Sequence, residues 1–148
     1  MIKITLPDGS VKEFASGVTP HEVALSISEG LARNVISASF NGTTIETATP
    51  LTTDGSLVLY TWNDAEGKKA FWHSTSHVMA QALEEKFPGI KLTIGPAIEN
   101  GFYYDVDFGE NKISENDFKA IEDRILAISK EKHEFKMRSA SKAEALEL

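Results

Sequence analysis

Leu57-Val58-Leu59-Tyr60 is the stretch that decides how the first part of this chain folds. The run is fully apolar and the turn pair Asp54-Gly55 opens it, as suits a strand at the centre of a sheet. Its neighbours must come from the residues before it. Val35 to Phe40 reads as one strand, the tight-turn pair Asn41-Gly42 follows, and Ile45 begins a short return. Further back, Thr19-Pro20-His21-Glu22 reads as a helix start, with Thr19 as cap, Pro20 at the first helical position and Glu22 completing a capping box. Val23, Ala24 and Ile27 give that helix an apolar face, and Gly30 suits its end. At the N-terminus Ile2, Ile4 and Leu6 alternate with polar residues. Pro7-Asp8-Gly9-Ser10 is a turn, and Val11 to Phe14 returns as the second arm of a hairpin.

The order strand, strand, helix, strand, short strand, strand suits a ubiquitin-like β-grasp over residues 1–62. The last apolar run would then lie beside the first strand, with the helix packed across the sheet. No pair of catalytic groups stands out here. His21, in the first turn of the helix, is expected to be a solvated surface histidine, and the segment a binding or docking module.

The whole chain has 148 residues, 41% hydrophobic and 25% charged, an ordinary composition for a globular protein. No apolar run approaches the ~18 residues of a membrane span, the N-terminus lacks a signal-peptide shape, and a cytoplasmic setting is expected. Cysteine is absent, which removes disulfides and thiolate chemistry from these residues. The net charge of −7 argues against tight, sequence-blind binding to a nucleic-acid backbone by this chain alone. A local basic stretch, Lys130, Lys132, Lys136, Arg138 and Lys142, leaves room for weaker contact.

Asn63-Asp64-Ala65-Glu66-Gly67-Lys68-Lys69 is polar and contains Gly, so a domain boundary is placed there, dividing the chain into 1–62 and 63–148. A helix containing Phe71 to Leu83 follows and ends at Pro88-Gly89. Ile90, Leu92 and Ile94 alternate as a strand, Gly95-Pro96 breaks or bends it, and Asn100-Gly101 signals a hairpin. Phe102, Tyr104, Val106 and Phe108 then form one apolar face of a strand. Ser114 to Asp117 resembles a capping box, and Phe118, Ile121, Ile125 and Ile128 mark an amphipathic helix to about Lys130. His133 to Met137 alternates as a further strand, and Ser141 to Leu146 opens a helix just before the last residue. The segment therefore reads as an α+β domain cut before its final elements, in an expressed fragment.

The chemistry concentrates on His73 and His77. With about 100° per residue, the two imidazoles stack on one face with Ala80, Gln81 and Glu84, while Phe71, Val78, Met79, Ala82 and Leu83 lie opposite. The pair is expected to face solvent, a second layer of protein, or a pocket with small and polar walls. Imidazoles four apart on a helix suit a metal such as Zn²⁺, given at least one more ligand, and equally suit holding and polarising a water molecule. They also suit two surface or packing histidines. Neither His21 nor His133 has an evident reason to join them. Tyr103 or Tyr104 can bring a hydroxyl to the rim of the sheet, although pattern favours packing of Tyr104 with Phe102 and Val106.

Two longer motifs go beyond composition and spacing. Ile4-Thr5-Leu6-Pro7-Asp8-Gly9-Ser10 resembles the start of the TGS module, a small β-grasp. His73-Ser74-Thr75-Ser76-His77, followed by Ile94-Gly95-Pro96-Ala97-Ile98-Glu99-Asn100-Gly101-Phe102-Tyr103-Tyr104-Asp105-Val106, resembles the editing domain of bacterial-type threonyl-tRNA synthetases. Alanyl-tRNA synthetases have a related domain. The order of the two modules matches the threonyl family along essentially the whole chain.

That resemblance implies an α+β chain with a TGS β-grasp followed by the first part of an editing domain. It implies a full enzyme that joins threonine to its tRNA using ATP, with Mg²⁺ and Zn²⁺, cytoplasmic and homodimeric. It also implies that the second domain hydrolyses serine wrongly esterified to the tRNA 3′ end. His73, His77 and Tyr104 match residues implicated at that site. Ser76 stands where Ala is common; placed off the histidine stripe, it is expected to matter little. The family's later Cys and His motif, a further Lys and Asp, and the synthetic, zinc, ATP and anticodon-binding regions are absent from these residues, so no cofactor and no catalysis are expected of the fragment. Its partner is threonine tRNA through the full enzyme, with weak RNA binding by itself. A non-catalytic docking module and a zinc-binding histidine pair are the competing readings.

Overall fold

The computed structural model describes residues 1–135 and 138–147. Strand β1 (Ile2–Thr5) alternates buried and exposed residues, with Ile2 and Ile4 inward. Gly9, at φ 81°, closes the turn whose hydrogen bonds run from Leu6 N to Ser10 O and from Gly9 N to Leu6 O, both 2.9 Å. Asp8 accepts from Ser10 N and Oγ, which holds its carboxyl below the usual range. Strand β2 (Val11–Phe14) then pairs antiparallel with β1.

Helix α1 (Pro20–Ile27) starts with the expected reciprocal capping box of Thr19 and Glu22. It stops earlier than Gly30. Ser28 ends α1 through its N–H to Ala24 O, and its hydroxyl caps α2 (Glu29–Asn34) by accepting from Leu31 N. Gly30 is thus an interior residue of a second short helix, because a Ser able to serve both helix ends precedes it.

Strand β3 (Ser37–Phe40) turns through Asn41 and Gly42, at φ 50° and 80°, into β4 (Thr43–Ile45). Strand β5 (Gly55–Tyr60) sits between β1 and β3, parallel to the first and antiparallel to the second. The sheet order is β2-β1-β5-β3-β4, which is the β-grasp arrangement expected from the sequence. Ile2, Ile4, Leu6, Val23, Ala38, Leu51 and Leu57 form its core.

Most of the stretch from Asn63 to Lys69 is helical. Asp64 stands at the N-cap of α3 (Ala65–Lys86) with its carboxylate turned to Thr61, so this helix starts well before Phe71 and runs for 22 residues. The polar composition on which the domain boundary was placed belongs largely to the first, partly solvated turns of this helix. Gly67 is there for close approach: a Cβ would lie 1.9 Å from Thr61 O.

Beyond α3 the strands are short. β6 (Lys91–Leu92) pairs with β9 (Val106–Asp107), and β7 (Ala97–Ile98) pairs with β8 (Gly101–Phe102) around Glu99 and Asn100. The single strand expected from Phe102 to Phe108 is therefore split, and Ile94, expected inward, is largely exposed. The cause is local. Asp105 bonds with Thr93 and Ile94, continuing the β6–β9 ladder, but Pro96 has no N–H to extend it and the Gly95 carbonyl accepts from Ser76 Oγ instead.

Helix α4 (Glu115–Glu131) begins at Ser114, whose N–H and hydroxyl both donate to the Asp117 carboxylate. It packs on α3 through Ala82, Leu83, Ile121 and Ile128, and Ile90 completes this second core. Lys86–Asp117 at 3.2 Å and Arg124–Glu85 tie the helices at their edges. Hydrogen bonds from Arg124, then Gln81, bring the Glu85 carboxyl down to about 2. His133 to Phe135 is not a strand; the rest of that expected strand, Lys136 and Met137, lies outside the described residues. Helix α5 (Lys142–Leu146) forms behind the cap Ser141 and buries nothing among the described residues.

Gly67→Ala weighs two effects of opposite sign. Alanine raises helix propensity by about 1 kcal/mol, whereas the clash with a backbone oxygen belongs to the overpacking class that costs about 1–3 kcal/mol. Backbone cannot step aside as a flexible side chain does, so urea unfolding is expected to show net destabilisation. A more stable variant would contradict the close approach.

Candidate active site

Two turns of α3 carry the histidines. Their Nε2 atoms lie 3.2 Å apart, with ring centroids at 4.7 Å and planes inclined by 79°. At this distance one nitrogen donates its proton and the other offers a lone pair. Two imidazolium rings would both present donors and repel. Partial burial first, and then the charge of a protonated His73, hold the His77 pKa below the ordinary imidazole value. Both side chains keep solvent exposure along their outer edges.

The pair opens on a cavity of about 400 Å³ lined by His73, Ser76, His77, Thr93, Ile94, Gly95, Pro96 and Tyr104. Of the alternatives raised by the helical wheel a pocket is what the pair meets, but Ile94, Pro96 and the Tyr104 ring make its walls more apolar than expected. Tyr104 faces two ways: it also lines an apolar groove with Met79, Leu83, Val106 and Phe108, so its expected packing role and its place at the cavity coexist. Phe71, grouped with the buried face of the helix, is instead 47% exposed. A wider groove of about 470 Å³ between α3 and α4 also touches His77, but Phe71, Val78, Leu126, Ile128 and Phe135 make it mainly apolar. Hydrolytic chemistry needs convergent functional groups, and of the two the smaller cavity takes in both histidines together with Tyr104.

Ser76 is the residue that sequence reading underrated. It is 1% exposed, and its hydroxyl approaches His73 O at 2.7 Å and Gly95 O at 2.9 Å. One O–H proton shared between two carbonyls ties the histidine turn to the bend before Pro96. On the wheel Ser76 sits about 60° from His73, inside the histidine arc, so the signal was available. Gly95 completes the arrangement: a Cβ there would lie 2.2 Å from the Tyr104 ring. Thr93 shapes the floor by donating from N and Oγ1 to Asp105 O, at 3.1 and 2.6 Å. Thr93 and Gly95 belong to the site through chain pairing, which no local pattern announced.

Among the described residues no three or more of His, Cys, Asp and Glu converge on one point. A zinc ion takes at least three protein ligands even in open sites, so the donor set described here is one short. His21 is exposed far along the chain on α1, and His133 is bonded to Glu131 at 2.6 Å. Two neighbouring imidazoles sharing one proton do suit acceptance of a proton from a water held in the cavity.

Residues 2–61 match the TGS domain family. Over all 148 residues the chain is 80% identical to a threonine–tRNA ligase of Flavobacterium johnsoniae and 78% identical to that of Flavobacterium psychrophilum. It is 52% identical over 146 residues to that of Cytophaga hutchinsonii. The chain spans 23% of the length of each of these relatives, matching their N-terminal region. The expected α+β architecture with a TGS β-grasp is borne out.

Two measurements test the geometry. In an NMR titration of the chain, His77 is expected to take its proton below pH 6.5. Because its folded pKa is depressed, stability present above the unfolded value is lost as pH falls through the folded one. His73→Asn should raise the His77 pKa only in part, since burial is the larger cause; complete return to 6.5 would mean that charge dominates. Gly95→Ala should displace the Tyr104 ring, shifting its aromatic resonances and lowering stability by about 1–3 kcal/mol. Unchanged Tyr104 resonances would contradict the contact.

Proposed function

We propose that this chain, which corresponds over its full length to the N-terminal region of threonine–tRNA ligases, carries part of a site that hydrolyses seryl-tRNA formed in error. The observation that carries this reading is the 3.2 Å contact of the His73 and His77 Nε2 atoms at a cavity that also takes in Tyr104. A neutral imidazole accepts a proton from water as the water oxygen attacks the ester carbonyl carbon. The ester C–O bond then breaks and the ribose oxygen leaves with a proton. His73 and His77 hold and polarise the water, and Tyr104 bounds the substrate beside them.

The need for such a site follows from binding energetics. Serine lacks one methyl of threonine, and a missing group of that size is worth only about 1–3 kcal/mol in a pocket. Hydrolysis at a second site supplies the remaining discrimination. In the same proposal the parent protein esterifies threonine to its tRNA with ATP, works as a cytoplasmic homodimer, and binds the tRNA acceptor stem and 3′ end. ATP, Mg²⁺ and Zn²⁺ would serve regions beyond these 148 residues; the residues described here offer no ligand set that fits the metals. The division into a TGS domain at 1–62 and an editing segment at 63–148 belongs to this reading, with residues 65–69 serving as a helical junction.

A purified ligase containing this sequence, given seryl-tRNA, should lose about 10²–10⁴-fold in deacylation rate when His77 is changed to Ala. Threonylation should stay close to wild type. Deacylation at the wild-type rate would overturn the reading. The 148-residue chain by itself should release serine negligibly above the uncatalysed rate, and robust release would contradict the claim that the site is incomplete.

A further inference from the structure

Where the five-stranded sheet gives way to α3 there is a second notch, of about 430 Å³, sharing no residue with the histidine cavity. Its walls are Gly30, Leu31, Asn34, Thr61, Trp62 and Asn63. Trp62 remains 46% exposed although Phe71 and Trp72 meet it edge-to-face, at centroid distances of 5.2 and 5.8 Å. Those contacts set the indole orientation before any ligand arrives. The Asn34 amide donates to Gly30 O at 2.8 Å, which fixes the carboxamide and leaves its oxygen as an acceptor. The Asn63 carboxamide has no hydrogen-bond partner among the described residues. Lys68 Nζ lies over the Trp62 ring, 5.7 Å from its centroid, on a flexible stem that can swing to the rim when a base takes that face. The adjacent acid is already engaged, since the Asp64 carboxylate accepts from Thr61 N and Oγ1 at 2.7 and 3.0 Å.

An oriented aromatic face, two carboxamides and one ammonium match the chemistry of a nucleobase and its phosphate. Aromatic stacking accepts any base, carboxamides pair with donor and acceptor edges of bases, and a lysine neutralises the phosphate. The geometry points to a binding site for one unpaired RNA nucleobase, stacked on Trp62, held at its edge by Asn34 and Asn63, with Lys68 at the phosphate. A strand is favoured over a free nucleotide because half-exposed Phe71 continues the aromatic surface along α3 toward His73. The choice of RNA rests on the tRNA reading above; the notch and its chemistry do not.

The test is a titration of the isotopically labelled chain, followed by NMR, with a short single-stranded oligoribonucleotide, its duplex form, and AMP. Saturable shifts of the Trp62 indole N–H and the Asn34 and Asn63 side-chain amides are expected with the single strand, and weaker binding with the other two. Trp62→Ala should weaken the single strand about tenfold or more, as expected for a lost stacking platform, and Trp62→Phe should restore most of it. Asn63→Ala, at an exposed position that leaves folding intact, should weaken binding several-fold. Absence of saturation, equal affinity for duplex, AMP binding as tightly as the strand, or indifference to Asn63→Ala would each overturn the proposal. Binding is read without turnover, so failure of the hydrolytic reading leaves this result standing, and failure here leaves the hydrolytic reading standing.

Discussion

Helix α3 has to approach two stretches of backbone at touching distance, and the rest of the molecule is arranged around those contacts. At its start, Gly67 lies against the Thr61 carbonyl with no room for a Cβ. Nine residues later, the Ser76 hydroxyl reaches the Gly95 carbonyl. The first contact locks the helix to the end of β5, and the second locks it to the bend between β6 and β7. Helix rigidity links the two, because about 1.5 Å of rise per residue leaves little slack over so few turns. The histidines ride on this fixed segment, which is why their Nε2 atoms can meet without support from a longer polar network.

The chemistry then follows from what surrounds the fixed pair. On the cavity side Ser76, Thr93 and Gly95 leave room between the histidines and Tyr104, whose ring fits only because Gly95 has no side chain. On the opposite side Ala82 and Leu83 pack on Ile121 and Ile128. Charge pairs at the edges of α3 and α4, such as Arg124 with Glu85, are exposed and add little to stability on their own. The apolar contacts carry the packing, and the polar residues of the helix remain available to the cavity. The contact between the two imidazoles, with the His77 pKa held low by partial burial and by His73, favours one neutral ring, and a neutral ring is what proton acceptance from water requires.

Much of this is legible in local sequence signals. The capping box of Thr19 and Glu22, the Asn41-Gly42 turn and the apolar run ending at Tyr60 each form the element they announce. The spacing of His73 and His77 is enough to put them on one face. Where the sequence misleads, the reasons are equally physical. Gly30 reads as a stop only if the preceding Ser28 is overlooked. Composition also hides that α3 already begins at Ala65, inside the polar run from Asn63 to Lys69, because it cannot see that Gly67 is needed for contact. The strand from Phe102 to Phe108 splits because a ladder depends on its partner, and Pro96 with the diverted Gly95 carbonyl deprives it of one.

Residue order alone is enough for the β-grasp of the first segment and the pairing of the two histidines, since both rest on periodicity and turn chemistry within a few residues. What the histidines face is settled by tertiary contacts. Ser76, Thr93, Gly95 and Tyr104 come from a helix, the residue after a short strand, a bend and a loop, and they share a cavity because a hydroxyl, a missing Cβ and a strand ladder hold them together. Contacts between residues distant in sequence leave no period for a reader to count, so the site exists only once the chain has closed on itself.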